Sequence, residues 1–244
     1  MTLSLVLVGA ILGAIVGSFL GTLCLRWEKG QQATRGRSSC DGCKRPLRPL
    51  ELVPILAYAV QRGRCRKCNA SIAPEHVQIE IFAALLGGTA LAISPDQAGA
   101  ALALFGWILL PLGVLDARNF WLPDRLTLIL AILGILLGGA IAGAALGDRL
   151  IGGVAGFLVL EAIRRAYRHV RSREGLGGGD PKLLGAVGLW LGWAALPSVL
   201  LTASVAGLAI AVAGGAGRLT RFPFGSALAA AAWIVPAVQL SSAP

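Results

Sequence analysis

The sequence predicts an all-α polytopic membrane protein with about eight transmembrane helices and one small extramembrane loop. Of its 244 residues, 56% are hydrophobic and only 14% are charged, whereas a soluble domain carries roughly a quarter charged residues. The apolar residues form blocks, several about as long as the ~20 residues that cross a bilayer as a helix. The charged residues lie between these blocks. Together these features favour an integral membrane protein over a soluble one.

Eight apolar runs are the candidate membrane helices. They cover about residues 3–25, 78–93, 98–115, 126–146, 150–167, 183–195, 196–213 and 224–240. The stretch 183–213 is too long for one straight span, so we expect a turn between Gly192 and Pro197. No basic residue precedes the first run, which predicts a retained span rather than a cleaved signal peptide.

The basic residues support this number of spans. All but one of the 22 Lys and Arg residues lie in the loops 26–77, 116–125, 164–182 and 214–223, and the exception is Arg149. With eight spans these four loops share one side, which the positive-inside rule makes cytoplasmic, and both termini lie outside. With seven spans the last loop, carrying Arg218 and Arg221, would face outward. The net charge of +10 therefore predicts contact with membrane lipids and no nucleic-acid partner.

Four cysteines in the first cytoplasmic loop form two pairs with metal-ligand spacing. Cys40 and Cys43 are separated by 21 residues from Cys65 and Cys68. Two C-x-x-C turns can bring four thiolates around one zinc ion, and a site without an open position is structural. A dithiol redox pair is the alternative, and structural disulfides are disfavoured in the cytoplasm. Cys24 lies outside these two pairs and is interpreted as an ordinary apolar helix residue.

Two aspartates at the cytoplasmic ends of spans are candidate catalytic groups. Asp116 ends the third span, and Asp180 follows the glycine-rich segment 175–179. Ionisable side chains at membrane depth are costly and point to function. Two carboxyl groups in a partly dry site cannot both ionise easily, so one serves as acid while the other activates water, as in aspartic proteases. Gly177 and Gly179 would let the backbone approach a substrate closely.

Other interpretations of the acidic residues stay open at this point. Asp116 and Asp180 could cap helices or face lipid headgroups. Asp124 fits a helix N-cap before good helix formers. Glu161 lies one turn from two arginines and is expected to be an interfacial paired charge. Glu80 begins the second span and could orient a group within the bundle.

Five short motifs, in this order, resemble those of the type IV prepilin peptidases. They are Gly17–Leu20, the cysteine loop from Arg37 to Cys68, Leu115–Asp116 with Leu122–Thr127, Gly177–Lys182 with its G-x-G-D signature, and Pro223–Gly225. The G-x-G-D signature is shared with other intramembrane aspartyl proteases. Each motif is weak alone, but their order along nearly the whole chain is specific. Two positions depart from the family pattern, with Gly21 in place of asparagine and Pro181 in place of valine.

The resemblance implies a bifunctional enzyme of the bacterial inner membrane. Such an enzyme cleaves the leader of type IV prepilins or type II secretion pseudopilins after a glycine at the cytoplasmic face. It then methylates the new N-terminus with S-adenosylmethionine, and Gly21 lies in the part that would serve methylation. Asp116 and Asp180 would be catalytic, and the supporting residues would be Asp124, Gly177, Gly179, Lys182 and Glu80. The alternative is a non-enzymatic transporter or scaffold with a zinc-binding loop, whose acids bind an ion or proton.

The expected organisation has three parts. Residues 1–25 form the first transmembrane helix, residues 26–77 form the cytoplasmic zinc-binding loop, and residues 78–244 form a seven-helix membrane aspartyl peptidase domain.

Overall fold

The computed structural model describes residues 2–31, 38–172, 175–213 and 222–242. These residues form ten α-helices, two short 3-10 helices and two isolated β-bridges, so the predicted all-α class is confirmed. Arg37, at the start of the motif around the cysteines, and Arg218 and Arg221 of the last basic loop lie outside the described residues. The chain divides into two compact units, Met1–Ala92 and Ile93–Pro244. The division of the chain into three functional parts stays a prediction.

The N-terminal unit contains two long helices and the cysteine loop. Its elements are α1 (Thr2–Glu28), a 3-10 helix (Pro49–Glu51), α2 (Leu56–Val60) and α3 (Pro74–Ile93). Glycines at four-residue spacing on α1 allow close packing, because a Cβ on Gly13 or Gly17 would strike α3 at Ala83 or Glu80. Small residues at this spacing are typical of helix contacts in membranes.

The described residues of the C-terminal unit form a bundle of seven α-helices. Its elements are α4 (Gln97–Asn119), α5 (Asp124–Leu137), α6 (Gly139–Ala142), α7 (Leu146–Arg171), α8 (Asp180–Leu191), a 3-10 helix (Trp193–Ala195), α9 (Leu196–Ala213) and α10 (Phe224–Ser241). Helix α8 ends at Leu191, and Gly192 follows with φ +80°. A positive φ is readily adopted only by glycine. The predicted turn after residue 191 is therefore confirmed.

Helix α8 is the buried centre of this unit. Trp190 is fully buried, stacks on Phe105 of α4 with ring centroids 4.8 Å apart, and donates its indole N–H to the Leu130 carbonyl at 2.8 Å. Helix α7 approaches α8 so closely that a Cβ on Gly188 would overlap the carbonyl of Gly152. Packing on these sides fixes the helix whose first residue is Asp180.

Five helices in the described part of the chain are long and apolar enough to cross a membrane. They are Leu3–Glu28, Pro74–Ile93, Gln97–Asn119, Trp193–Ala213 and Phe224–Ser241. The protein is thus an integral membrane protein. The other three predicted spans correspond to α5 and α8, which have 14 and 12 residues, and to α7, which carries several charges. The total of eight membrane spans stays a prediction.

The predicted run 126–146 is interrupted in the structure. Helix α5 ends at Leu137, and the short α6 begins at Gly139. The side chain of Arg149 is buried here and donates to the carbonyls of Gly134 at 2.8 Å and Ile135 at 3.2 Å. Arg149, the one basic residue outside the four basic loops, therefore stabilises the end of helix α5. These two hydrogen bonds account for its position in the chain.

The charged end of α7 matches the sequence prediction. Glu161 accepts hydrogen bonds from Arg164 at 2.8 Å and from Arg165 at 2.6 Å. The predicted paired charge at Glu161 is therefore confirmed.

Candidate active site

The structure brings the two candidate aspartates together. Asp116 lies in the last turn of α4 and Asp180 is the first residue of α8, and only 6% and 3% of their surfaces are exposed. A Cβ on Gly225, in the first turn of α10, would lie 2.9 Å from Asp116 Oδ2 and 2.9 Å from Asp180 Oδ1. Because both oxygens lie 2.9 Å from this one point, the two carboxyl groups lie close to each other. Three helix ends thus meet at one buried carboxyl pair, and its catalytic role stays a prediction.

Backbone N–H groups hold both carboxylates. Ser226 donates its N–H to Asp116 Oδ2 at 2.7 Å, and the N–H of Gly225 also contacts this carboxylate. These donors belong to the first turn of α10, where N–H groups have no partner within the helix and favour negative charge. Gly177 donates its N–H to Asp180 Oδ2 at 3.0 Å. The remaining oxygen, Asp180 Oδ1, is buried and has no hydrogen-bond donor among the described residues.

The local sequence explains how each acid reaches the site. Helix α4 ends because Phe120 adopts φ +52°, with its N–H bonded to the Asp116 carbonyl. Gly179 packs so tightly that a Cβ there would lie 2.6 Å from the Cβ of Leu122. Pro181 occupies the first turn of α8, as predicted, where its missing N–H costs nothing. The glycines therefore serve tight packing and donation to Asp180.

Asp124 is placed differently from the sequence expectation. Helix α5 begins at Asp124 itself, Pro123 is the capping residue, and no side chain caps the helix; the predicted N-cap role of Asp124 is therefore wrong. Its exposed carboxylate pairs with Lys182 at 2.6 Å. This ion pair joins the first turns of α5 and α8 at the protein surface. Exposed pairs of this kind contribute about 0–1 kcal/mol.

Glu80 belongs to the N-terminal unit and is buried, with 4% of its surface exposed. Its Oε2 accepts the N–H of Ile55 at 2.7 Å, and its Oε1 lies 3.3 Å from His76 Nε2. The sequence does not single out His76, because a lone histidine near a span has no motif around it. Glu80 therefore contacts two groups, the Ile55 N–H and the His76 imidazole, and its predicted orienting role is compatible with this position.

The four loop cysteines form a cluster with metal-binding geometry. The sulfur atoms of Cys40, Cys43, Cys65 and Cys68 all lie within 4.8 Å of one another, and Cys40 and Cys68 are separated by 3.6 Å. Four thiolates placed tetrahedrally at ~2.3 Å from zinc would be about 3.8 Å apart. The cluster therefore fits a zinc ion.

The two halves of the cluster have the same backbone conformation. In the first, the N–H of Lys44 donates to the Cys40 carbonyl at 2.9 Å, and Lys44 has φ +56°. In the second, the N–H of Asn69 donates to the Cys65 carbonyl at 3.0 Å, and Asn69 has φ +58°. Each C-x-x-C pair therefore closes the tight turn that its spacing predicts.

The surroundings of the cluster act differently on its thiols. The Ala70 N–H lowers the pKa of Cys68, but burial and the three neighbouring cysteines outweigh it and raise this pKa to about 11, whereas Cys65 favours the thiolate form. The pKa of Cys65 is lowered to about 6, because the N–H groups of Cys68 and Lys67 donate to its sulfur. Arg45 lies 3.8 Å from this sulfur and binds the buried Glu51 through both of its terminal nitrogens. The hydrogen bonds from Arg45 are the largest cause that lowers the pKa of Glu51 to about 2. This ion pair orients the positive charge of Arg45 towards the Cys65 sulfur.

Comparison with known proteins covers most of the chain. Residues 11–93 match the family model described as the bacterial peptidase A24 N-terminal domain, and residues 103–212 match the type IV leader peptidase family. The chain is 40% identical over 206 residues to a "Prepilin leader peptidase/N-methyltransferase" of Aeromonas hydrophila, covering 81% of this chain and 70% of the relative. Relatives with the same description occur in Burkholderia pseudomallei (44% identity; 80% and 64% covered) and Pseudomonas aeruginosa (36%; 81% and 70%). No solved structure gives a significant match.

Proposed function

Because the chain belongs to the type IV leader peptidase family, we propose that it is a membrane-embedded aspartic endopeptidase that removes the leader of prepilin-like substrates. The substrates are type IV prepilins or type II secretion pseudopilins, cut after a glycine at the cytoplasmic face. The enzyme then methylates the new N-terminal amine. This family membership favours an enzyme over the non-enzymatic transporter or scaffold that the composition alone left open.

The observation that carries the peptidase proposal is the convergence of Asp116 and Asp180 on Gly225. Asp116 accepts N–H donors at the start of α10, which stabilises its negative charge. Asp180 keeps one buried oxygen without a donor among the described residues. A buried carboxylate oxygen without a donor is costly, and the cost falls if that oxygen carries or shares a proton. This difference between the two residues supports a charged carboxylate on Asp116 and a protonated carboxyl group on Asp180.

This arrangement supplies the proton transfers of peptide hydrolysis. The charged carboxylate takes a proton from a water molecule as its oxygen attacks the carbonyl carbon of the scissile bond. The protonated carboxyl group donates its proton to the carbonyl oxygen, which gives a diol. As the C–N bond breaks, the first carboxyl group passes the proton taken from water to the amide nitrogen, and the second recovers a proton from a diol hydroxyl. No metal takes part in these steps. Asp124 and Lys182 contribute by joining α5 to α8 rather than by contacting the substrate.

The cysteine cluster serves a structural purpose in this proposal. Zinc held by all four thiolates has no open coordination position, so it would fold the loop and take no part in peptide hydrolysis. S-Adenosylmethionine supplies the methyl group for the second reaction. The basic loops lie in the cytoplasm against anionic lipid, the enzyme resides in the bacterial inner membrane, and both termini face the periplasm.

The experiment uses the full chain in membranes with a synthetic prepilin. Mass spectrometry of the product should find the leader removed after glycine and, with S-adenosylmethionine present, an N-terminus heavier by one methyl group. A prepilin whose glycine before the scissile bond is replaced by a bulky residue is the matched control and should stay intact. An uncut wild-type prepilin would reject the peptidase proposal.

A further inference from the structure

The N-terminal unit contains a half-open cavity whose lining includes neither Asp116 nor Asp180. It has a volume of about 640 Å³ and lies between α1, α3 and the cysteine loop. Binding sites for small molecules commonly measure ~300–1,000 Å³ and combine apolar walls with a few convergent polar groups. Here Leu25 and Val53 contribute apolar surface, while Arg26, His76 and Glu80 bring charged or polar groups. The cavity therefore has the size and lining of a site for a drug-sized polar ligand.

A carboxylate and an imidazole are paired in the wall of this cavity. Glu80 Oε1 lies 3.3 Å from His76 Nε2, and the Ser18 hydroxyl also contacts Glu80. The His76 side chain is 25% exposed, whereas that of Glu80 is only 5% exposed. The imidazole thus reaches the cavity while the carboxylate behind it fixes its orientation. A base held by a second oriented group is the arrangement that enzymes use for proton abstraction.

The same carboxylate holds a strained residue, Ile55, which lies in the chain between the cavity-lining residues Val53 and Ala57. Ile55 has φ +63° and ψ −53°, which is a genuine outlier for a β-branched residue. Its N–H donates to Glu80 Oε2 at 2.7 Å. Strained backbone persists only where neighbouring contacts stabilise it, and it concentrates at ligand clamps and active sites. The strain at Ile55 is an indication of function that is independent of the histidine.

The glycine at position 21 leaves room for the imidazole. A Cβ on Gly21 would lie 2.8 Å from His76 Nδ1, so a larger residue at this position would displace the imidazole. Nδ1 has no hydrogen bond to any described residue. It is therefore the nitrogen left to accept a proton. The departure from the family pattern at Gly21 goes together with the position of His76.

We propose that this cavity is the methyl-transfer site, which binds S-adenosylmethionine, and that His76, oriented by Glu80, is the base that deprotonates the substrate amine. The inference rests on the second reaction of the proposed function. The cavity volume suits a nucleoside with an amino-acid tail, and the positive charge of Arg26 suits the carboxylate of that tail. The negative charge of Glu80 suits a site that receives both an ammonium and a sulfonium group.

The proton and electron balance is complete with these groups. The new N-terminus is an ammonium near neutral pH, and only its neutral form has a lone pair for attack. His76 Nδ1 takes one proton from the ammonium. The amine nitrogen then bonds to the methyl carbon, and the electron pair of the broken sulfur–carbon bond stays on sulfur as a neutral thioether. The imidazolium afterwards releases its proton to solvent.

The base is tested by H76Q in the full chain in membranes, with H169Q as the matched control. His169 is the other histidine of the chain and is exposed on α7. We expect H76Q to remove the leader but to methylate about 100-fold more slowly or worse, the lower end of a general-base contribution. H169Q should do both at the wild-type rate. Methylation by H76Q at the wild-type rate would overturn the role of His76.

The donor site is tested by equilibrium binding of radiolabelled S-adenosylmethionine, which needs no turnover. Ala57 lines the cavity, whereas Ala59 on the same short helix is exposed and does not. A57W should weaken binding at least tenfold, while A59W should bind like the wild type. Unchanged binding by A57W would overturn the assignment of the cavity. If the wild type cleaves prepilin but binds no donor, this inference fails while the peptidase proposal stands.

Discussion

Gly225 is the position where one added methyl group would disturb both candidate catalytic aspartates. In G225A the new Cβ would lie 2.9 Å from Asp116 Cγ and Oδ2 and 2.9 Å from Asp180 Oδ1, and Cβ contacts below 3.0 Å essentially never occur in proteins. The carboxyl groups must therefore move apart or rotate. Misplacement of reacting groups by about 1 Å costs roughly 100-fold in rate, which corresponds to about 2.7 kcal/mol of transition-state stabilisation. We expect G225A to cut prepilin about 100-fold more slowly, measured as initial rate of leader release.

The matched control for this substitution is G113A. Gly113 lies on α4, and its added Cβ would meet only Ala229 at 3.5 Å and Ser226 at 3.9 Å, which are ordinary contact distances. G113A makes the same chemical change at the same interface of α4 and α10 without touching either carboxylate. It should cut within about twofold of the wild type. If G225A is as active as G113A at equal protein levels, the reasoning from the shared contact at Gly225 is refuted.

Three further predictions concern the fold, the metal and the topology. R149M removes a guanidinium that binds two carbonyls at the end of α5, so it should lower the free energy of unfolding by about 1–3 kcal/mol; an unchanged melting temperature in detergent would contradict this. Metal analysis should find about one zinc per wild-type chain, lost in C65S but kept in C24S, whose buried thiol lies in α1; zinc retained by C65S would exclude the four-cysteine site. A topology reporter fused after Pro244 should report the periplasm, and a cytoplasmic signal would rule out the arrangement of eight spans.

Features encoded by local sequence could be predicted well. The helices α1, α3, α4, α9 and α10 follow from apolar runs, and the break at Gly192 follows from a run too long for one span. The four cysteines were identifiable because two C-x-x-C pairs are a local signal with a known physical purpose. In each case neighbouring residues contain the information that determines the structure.

Beyond the pairing of Asp116 with Asp180 and the clustering of the four cysteines, contacts between distant segments could not be predicted. The Ser226 N–H donates to Asp116, 110 residues away in the chain. Because every residue except proline has a backbone N–H, the residue type does not indicate which one will be the donor. The interruption of the run 126–146 depends on Arg149 reaching the end of α5. Asp124 looks like an N-cap from its neighbours, but its carboxylate is taken by Lys182 on another helix. At each of these positions a contact with a residue distant in the chain, rather than the neighbouring sequence, determines the structure.

The most direct test of the central claim is leader removal by D116N and D180N. Each asparagine keeps the side-chain shape but can neither activate water nor donate a carboxyl proton. D148N is the control, because Asp148 is an acid of the same unit whose contact is the indole N–H of Trp193 at 3.2 Å. We predict that each of D116N and D180N slows prepilin cleavage at least 100-fold, while D148N cleaves normally. Cleavage at the wild-type rate by both single variants would contradict the aspartyl mechanism.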